Sequence, residues 1–134
     1  MIPQAAFTQF IGARVDTLDE GVCRLSLSVA PQHLDRRGVL HTGVLTALLD
    51  SSIGIGLGYL RRDEVRRRPH ATIEMSTSFL AEAKVGDETE VEGRVIHKGR
   101  SIAFGEATAR RRSDGETLAL SRLTFAISSR ERPD

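Results

Sequence analysis

The chain has 134 residues and a mass of 14.7 kDa, which fits one domain over residues 1–134 rather than two. Hydrophobic residues at 40% supply a core, and 19 Lys+Arg against 18 Asp+Glu leave a net charge of +1, too small an excess for a nucleic-acid binder that neutralises phosphates. One cysteine, Cys23, excludes an internal disulfide framework and an all-cysteine zinc site, and suits a reducing cytosol.

The opening residues carry no basic segment ahead of a long apolar run, so no signal peptide is expected. Residues 4–10 fit a short helix after Pro3. A strand is expected near 13–18, then a turn at Asp19-Glu20-Gly21, then a second strand from Val22. In that strand Leu25, Leu27 and Val29 alternate with Arg24, Ser26 and Ser28, the period of a half-buried strand. Pro31 ends it. The loop from Gln32 to His41 leads into Val44–Leu60, which is apolar on nearly every side and reads as a buried helix. Asp50, Ser51, Ser52 and three glycines make it too polar in the middle for a membrane span, so a soluble cytoplasmic protein is expected. The arginine-rich stretch 61–69 closes the helix as a solvated loop. Strands are then expected over 72–80, 88–97, 102–111 and 117–127, with Asp114-Gly115 as a hairpin signal. These four read as an antiparallel meander.

One amphipathic sheet covers one side of a helix. A helix that is apolar all round needs cover on the other side as well, and a second copy of the chain is the economical source. A homodimer is therefore expected from burial alone.

Asp50 is the anomaly of that helix. A carboxylate among apolar neighbours needs a partner, and no basic residue lies within one helical turn. An intramolecular cation would satisfy it; a working site, where such carboxylates cluster, is the other reading. At the helix start, His41-Thr42-Gly43 offers backbone N–H groups at the positive end of the dipole. These stabilise an anion, including the oxyanion of acyl transfer, unless Thr42 simply caps the helix and Gly43 only relieves packing. Asp50 lies nine residues after His41, about 13 Å along one helix, so it cannot serve an oxyanion at its own helix's start. Antiparallel helices across a dimer axis would bring Asp50 of one subunit to the helix start of the other.

The run G-x-x-H-x-G-x-x-x-x-L-x-D, here Gly38, His41, Gly43, Leu48 and Asp50, resembles the signature of the PaaI-like acyl-CoA thioesterases of the hotdog-fold superfamily. The order of elements matches that family over most of the chain. The resemblance implies an α+β fold, a curved antiparallel sheet wrapped around one long central helix. It also implies a thioester hydrolase with no cofactor beyond the coenzyme A of its acyl-CoA substrate. Carried over residue by residue, it makes Asp50 the nucleophile or general base and the backbone N–H of Thr42, beside Gly43, the donor to the thioester carbonyl. His41 helps orient that carbonyl, and Gly38 belongs to the substrate-facing loop. A hydroxyl on the strand after the helix would hold the attacking water: Thr72, with Ser76 and Ser78 as substitutes. Where the family reads N-x-x-G-x-x-H-G-G, this chain has Asp35 for the Asn and Thr42 for the first of the paired Gly. Thr42 is compatible, because the contact is a main-chain N–H. Asp35 cannot donate as an amide does, and near Asp50 it adds repulsion.

Tyr59, Phe79 and the segment Phe7–Phe10 are expected to shape the acyl pocket. Arg66, Arg67 and Arg68 are candidates for the phosphates of coenzyme A, against the plainer reading of a solvated face. The homodimer would pair further into a homotetramer, with no nucleic-acid or membrane partner. Cys23 has no adjacent His and is read among polar same-face neighbours, which argues against a catalytic thiol. The four histidines show no metal-ligand spacing. Two alternatives remain: a hotdog dehydratase or hydratase using His41 with Asp50, and a non-catalytic acyl-CoA-binding protein in which Asp35 has changed the site.

Overall fold

In the computed structural model, which describes residues 5–66 and 68–131, the elements follow the expected order. They are α1 (Ala6–Phe10), β1 (Arg14–Asp19), β2 (Val22–Ser28), a 3-10 turn (Pro31–His33), α2 (Thr42–Leu60), β3 (His70–Phe79), β4 (Glu88–Lys98), β5 (Ile102–Arg111) and β6 (Thr117–Ile127).

The six strands form one antiparallel sheet in the order β1-β2-β4-β5-β6-β3. This corrects the expected meander. β4, β5 and β6 do run as one, but β3 lies at the far edge against β6, and β4 is inserted beside β2. Alternation marks which side of a strand is buried and carries no information about its neighbour. The connection after β3 carries the chain from the sheet edge to its middle, where the backbone of Asp87 accepts from Val29 N–H at 2.9 Å.

Every strand touches α2. A flat sheet of six strands spaced at about 4.8 Å would be roughly 24 Å wide, far wider than a helix of about 10–12 Å. The sheet therefore curves around α2, as a hotdog fold requires. Two strand glycines let it approach. A Cβ on Gly93 would lie 2.7 Å from the carbonyl carbon of Ser52, and one on Gly105 would lie 2.6 Å from Ile53 Cγ2.

On α2, Leu45, Leu48, Leu49, Ser52, Ile53, Gly56 and Leu57 are buried against the sheet. Val44, Ala47, Ser51, Ile55 and Gly58, on the opposite side, are only partly covered. The helix is thus apolar all round, with the sheet on one side and, among the described residues, only partial cover on the other. By length and composition α2 is in fact long and apolar enough to cross a membrane, which corrects the reading of it as too polar. Its seating in the sheet makes it a core helix.

Candidate active site

The loop before α2 is built from Asp35. Its Oδ1 accepts from the N–H groups of Arg37 (2.8 Å) and Val39 (3.3 Å), while its main chain closes a turn with Val39 and Gly38. Gly38 supplies the left-handed step, at φ 81°. Partial burial opposes ionisation of Asp35, but the two N–H groups and the Arg37 guanidinium outweigh it and hold the carboxyl below the usual range. Within the chain this carboxylate is committed to the loop.

His41, not Thr42, is the N-cap of α2, and its Nδ1 accepts from Gly43 N–H at 2.7 Å. A side chain at position 43 would place its Cβ 2.9 Å from that nitrogen, so the glycine is what lets the imidazole fold over the first turn. With Nδ1 an acceptor, the ring proton sits on Nε2 and remains available to donate. The N–H of Thr42, the first helical residue, has no partner among the described residues.

Two turns on, half-buried Asp50 meets β3. Thr72 Oγ1 donates to Asp50 Oδ1 at 2.5 Å. A bulge follows at once, with Ile73 as the extra residue between Thr72 and Glu74, and such a bulge re-aims the side chains around it. Thr72 faces the helix, while Ser76 and Ser78 are exposed and line a groove on the other side of the sheet. Within the chain they do not reach Asp50. Asp50, Ser51, Gly54, Ile55, His70, Thr72 and Phe125 line a cleft of about 320 Å³ between α2 and β3.

His70 was not singled out by the sequence, although it stands two residues before Thr72 on a strand and so on the same face. Arg61 Nη1 donates to its Nδ1 at 2.6 Å, and its Nε2 donates to the Gly54 carbonyl at 3.1 Å. Burial, with Arg61 beside it, pushes its pKa down, and the Gly54 contact only partly opposes this. The stretch after α2 is only in part the solvated loop expected: Arg62, Asp63, Val65 and Arg66 are exposed, whereas its first residue turns inward. Arg61 is buried, and it also binds Glu64 (3.2 Å) and the Arg68 carbonyl (2.6 Å). Glu64 collects Arg68 and Lys98 as well. Burial opposes its ionisation, but the hydrogen bonds and charges of Arg61 and Lys98 overcome this and hold the carboxyl at about 2.

These two shifts have one sign. Glu64 stabilises the fold fully above its ordinary value of 4.5 and loses that contribution as pH falls towards about 2. His70, depressed below 6.5, begins to favour the unfolded chain as pH falls through 6.5. Unfolding monitored in urea across this range is expected to show stability falling in both windows. Glu64→Gln should flatten the lower one. With its side chain 25% exposed, the Glu64 contribution is held to about 1–2 kcal/mol by solvent screening.

Of the other expected residues, Arg66 pairs with Glu131 at 2.6 Å and Arg68 with Glu64 at 3.4 Å; Arg67 lies outside the described residues. Tyr59 lies at the far end of α2 with the Arg62 guanidinium 4.0 Å above its ring. Phe79 is seven residues beyond Thr72, about 23 Å along the strand. It lies at the end of the sheet that faces the α2 start, away from Asp50. Cys23 is fully buried on the face of Leu25 and Leu27, which corrects its placement among polar neighbours. Burial and the nearby Asp16 push its thiol up to about 12, where it is inert as a nucleophile.

A model of the thioesterase superfamily matches residues 37–118, from the Asp35 loop through the start of β6. The chain belongs to the thioesterase superfamily. Acyl-coenzyme A thioesterase 13 of the mouse, Mus musculus, is 26% identical over 98 residues, 73% of this chain and 67% of that protein. A Caenorhabditis elegans protein provisionally named an esterase is 35% identical over 99 residues, covering 74% of this chain; the match spans only 56% of that relative. The solved structure of the E. coli PaaI protein from the phenylacetic acid degradation operon superposes with a TM-score of 0.84 at 19% identity, over 95% of this chain and 87% of that one. That likeness speaks for the hotdog fold.

Proposed function

We propose that this thioesterase-superfamily chain is an acyl-CoA thioesterase whose site is completed by a second copy of itself. The Asp50–Thr72 pair carries the reading. Thr72 spends its proton on Asp50 Oδ1, so its lone pairs and Asp50 Oδ2 are left to hold a water. Asp50 takes a proton from that water as the oxygen attacks the thioester carbon. The oxyanion is met by the Thr42 N–H at the positive end of α2 of the partner subunit, with His41 Nε2–H beside it. Collapse breaks the C–S bond, and the proton held by Asp50 passes to the departing thiolate. No metal or organic cofactor takes part.

The second copy is supported by two observations. Thr42 and Asp50 are eight residues apart on one helix, about 12 Å, and the partly covered side of α2 runs between them. Dimers would pair into tetramers, in a reducing cytosol. Arg66 and Arg68 would exchange their carboxylate partners for the phosphates of coenzyme A. A dehydratase of this fold would need His41 as proton carrier, whereas here its Nδ1 is committed to the helix cap.

The test is release of free thiol from a panel of aryl, short, medium and long acyl-CoAs. Turnover on at least one, lost in Asp50→Asn while acyl-CoA binding persists, is the expected result. Tight binding with no release from any member would make the chain an acyl-CoA-binding protein instead.

A further inference from the structure

Beside the cleft at Asp50 lies a second hollow, and both are open to solvent. This one, of about 450 Å³, runs from Gly58 and His70 into Arg61, Arg62, Glu64 and Arg68. The two spaces share only Gly58 and His70. Along α2 the levels are clear: Asp50 faces Thr72, Gly54 faces His70 one turn later, and Gly58 opens onto the arginines one turn after that. Gly54 and Gly58 carry no side chain, so at these two levels α2 itself puts none between the hollows, and the Phe125 ring stands 3.7 Å from where a Gly54 Cβ would be. On the strand side the separation is the imidazole of His70.

That ring is held on three sides. Arg61 donates to Nδ1, Nε2 donates to the Gly54 carbonyl, and the ring stands edge-on to Phe125 with centroids 5.7 Å apart. Both nitrogens are occupied by the protein, so the ring has no donor or acceptor left for a ligand. It can neither swing aside cheaply nor bind substrate. Its effect is steric.

We propose that His70 sets the acyl-chain specificity of the site by walling it off from the arginine chamber. This rests on the thioesterase reading above. Gly54, Ile55 and Phe125 give the near cleft apolar walls suited to an alkyl or aryl group and offer little to the amides of the coenzyme arm. One helical turn, about 6 Å, separates Asp50 from the wall, room for a straight chain of about four or five carbons at ordinary bond lengths. Beyond the wall the chamber is charged and repels an alkyl tail. It suits an acyl group ending in a carboxylate, which Arg61 Nη1 would bind once relieved of His70, while Nε and Nη2 stay on Glu64 and the Arg68 carbonyl.

The test compares wild type, His70→Ala and His70→Phe on straight-chain acyl-CoAs from acetyl to palmitoyl and on ω-carboxyacyl-CoAs such as glutaryl and adipyl. Specificity constants and dissociation constants are both measured, with thermal midpoints to establish folding. Wild type and His70→Phe, which keeps a ring in place, are expected to favour short chains. His70→Ala is expected to raise the preference for ω-carboxyacyl over short straight-chain substrates by about 10-fold or more. If His70→Ala does not fold, His70→Asn opens the wall while keeping a polar contact for Arg61.

Equal use of short and long chains by wild type, or an unchanged preference in a folded His70→Ala or His70→Asn, overturns the proposal. The dissociation constants keep the two ideas separable. Length-dependent binding without thiol release removes the enzyme and leaves the wall, whereas thiol release without length dependence does the reverse.

Discussion

Mixing two inactive variants is expected to restore turnover. Asp50→Asn keeps an oxygen for Thr72 but cannot take a proton, and should lower kcat by about 10²–10⁴-fold. Thr42→Pro is the complementary lesion. Thr42 is the first residue of α2, where proline is favoured because its missing N–H has no helical partner. His41 before it already has φ −64° and ψ 134°, a conformation the residue before a proline adopts readily. The helix and the thermal midpoint should survive, and only the donor is lost, at a cost of about 10²–10³-fold. When the two variants are co-expressed, half of the dimers are mixed, and each mixed dimer has one site drawing on the intact half of both chains. Activity should return to about a quarter of wild type per subunit. A mixture no more active than its components would place Asp50 and Thr42 in separate sites and end the composite reading.

The second large effect is on stability. Gly93→Ala adds one methyl group to β4, but that carbon meets the main chain of Ser52 at 2.7 Å, and main chain cannot rotate away. The sheet would have to lift off α2 at its centre. The cost is expected at the upper end of the overpacking range, about 3 kcal/mol, seen as a fall of about 10 °C or more in Tm. Gly54→Ala is the contrast. Its Cβ would meet the Phe125 ring at 3.7 Å, an ordinary contact, and alanine is favoured over glycine in a helix by about 1 kcal/mol. Thermal unfolding of the pair side by side separates close approach from glycine content; similar midpoints would refute the packing account.

Much of this was legible in the residues. Alternation located the strands because each has one wet face, and β5 and β6 begin and end where expected. Asp50 drew attention because a carboxylate on an apolar helix is costly without a reason. What stayed hidden has physical causes. The place of β3 beside β6 follows from the sheet's closure around α2, which no periodicity records. At Asp35 the sequence shows only what the side chain lacks, an amide donor, whereas in the folded chain its carboxylate is bonded to its own loop. Arg61 opens an arginine-rich run whose composition suggests solvent, and His70 follows that run; the fold turns these two inward while Arg62, Asp63, Val65 and Arg66 stay exposed. Cys23 was placed on the wrong face by a one-residue slip, which in a strand inverts every side chain.

The edge position of β3 also bears on how the protein comes into being. Thr72 stands on a strand whose one sheet neighbour, among the described residues, is β6, made some fifty residues later. On the ribosome, α2 and Asp50 emerge long before β6 exists to receive β3. Until Ile127 has cleared the exit tunnel, the helix lacks part of its cover and the carboxylate lacks its hydroxyl, so a chain released early would be adhesive and without chemistry. Formation of the Asp50–Thr72 hydrogen bond therefore waits on β6, and it reports that the sheet has closed at that edge.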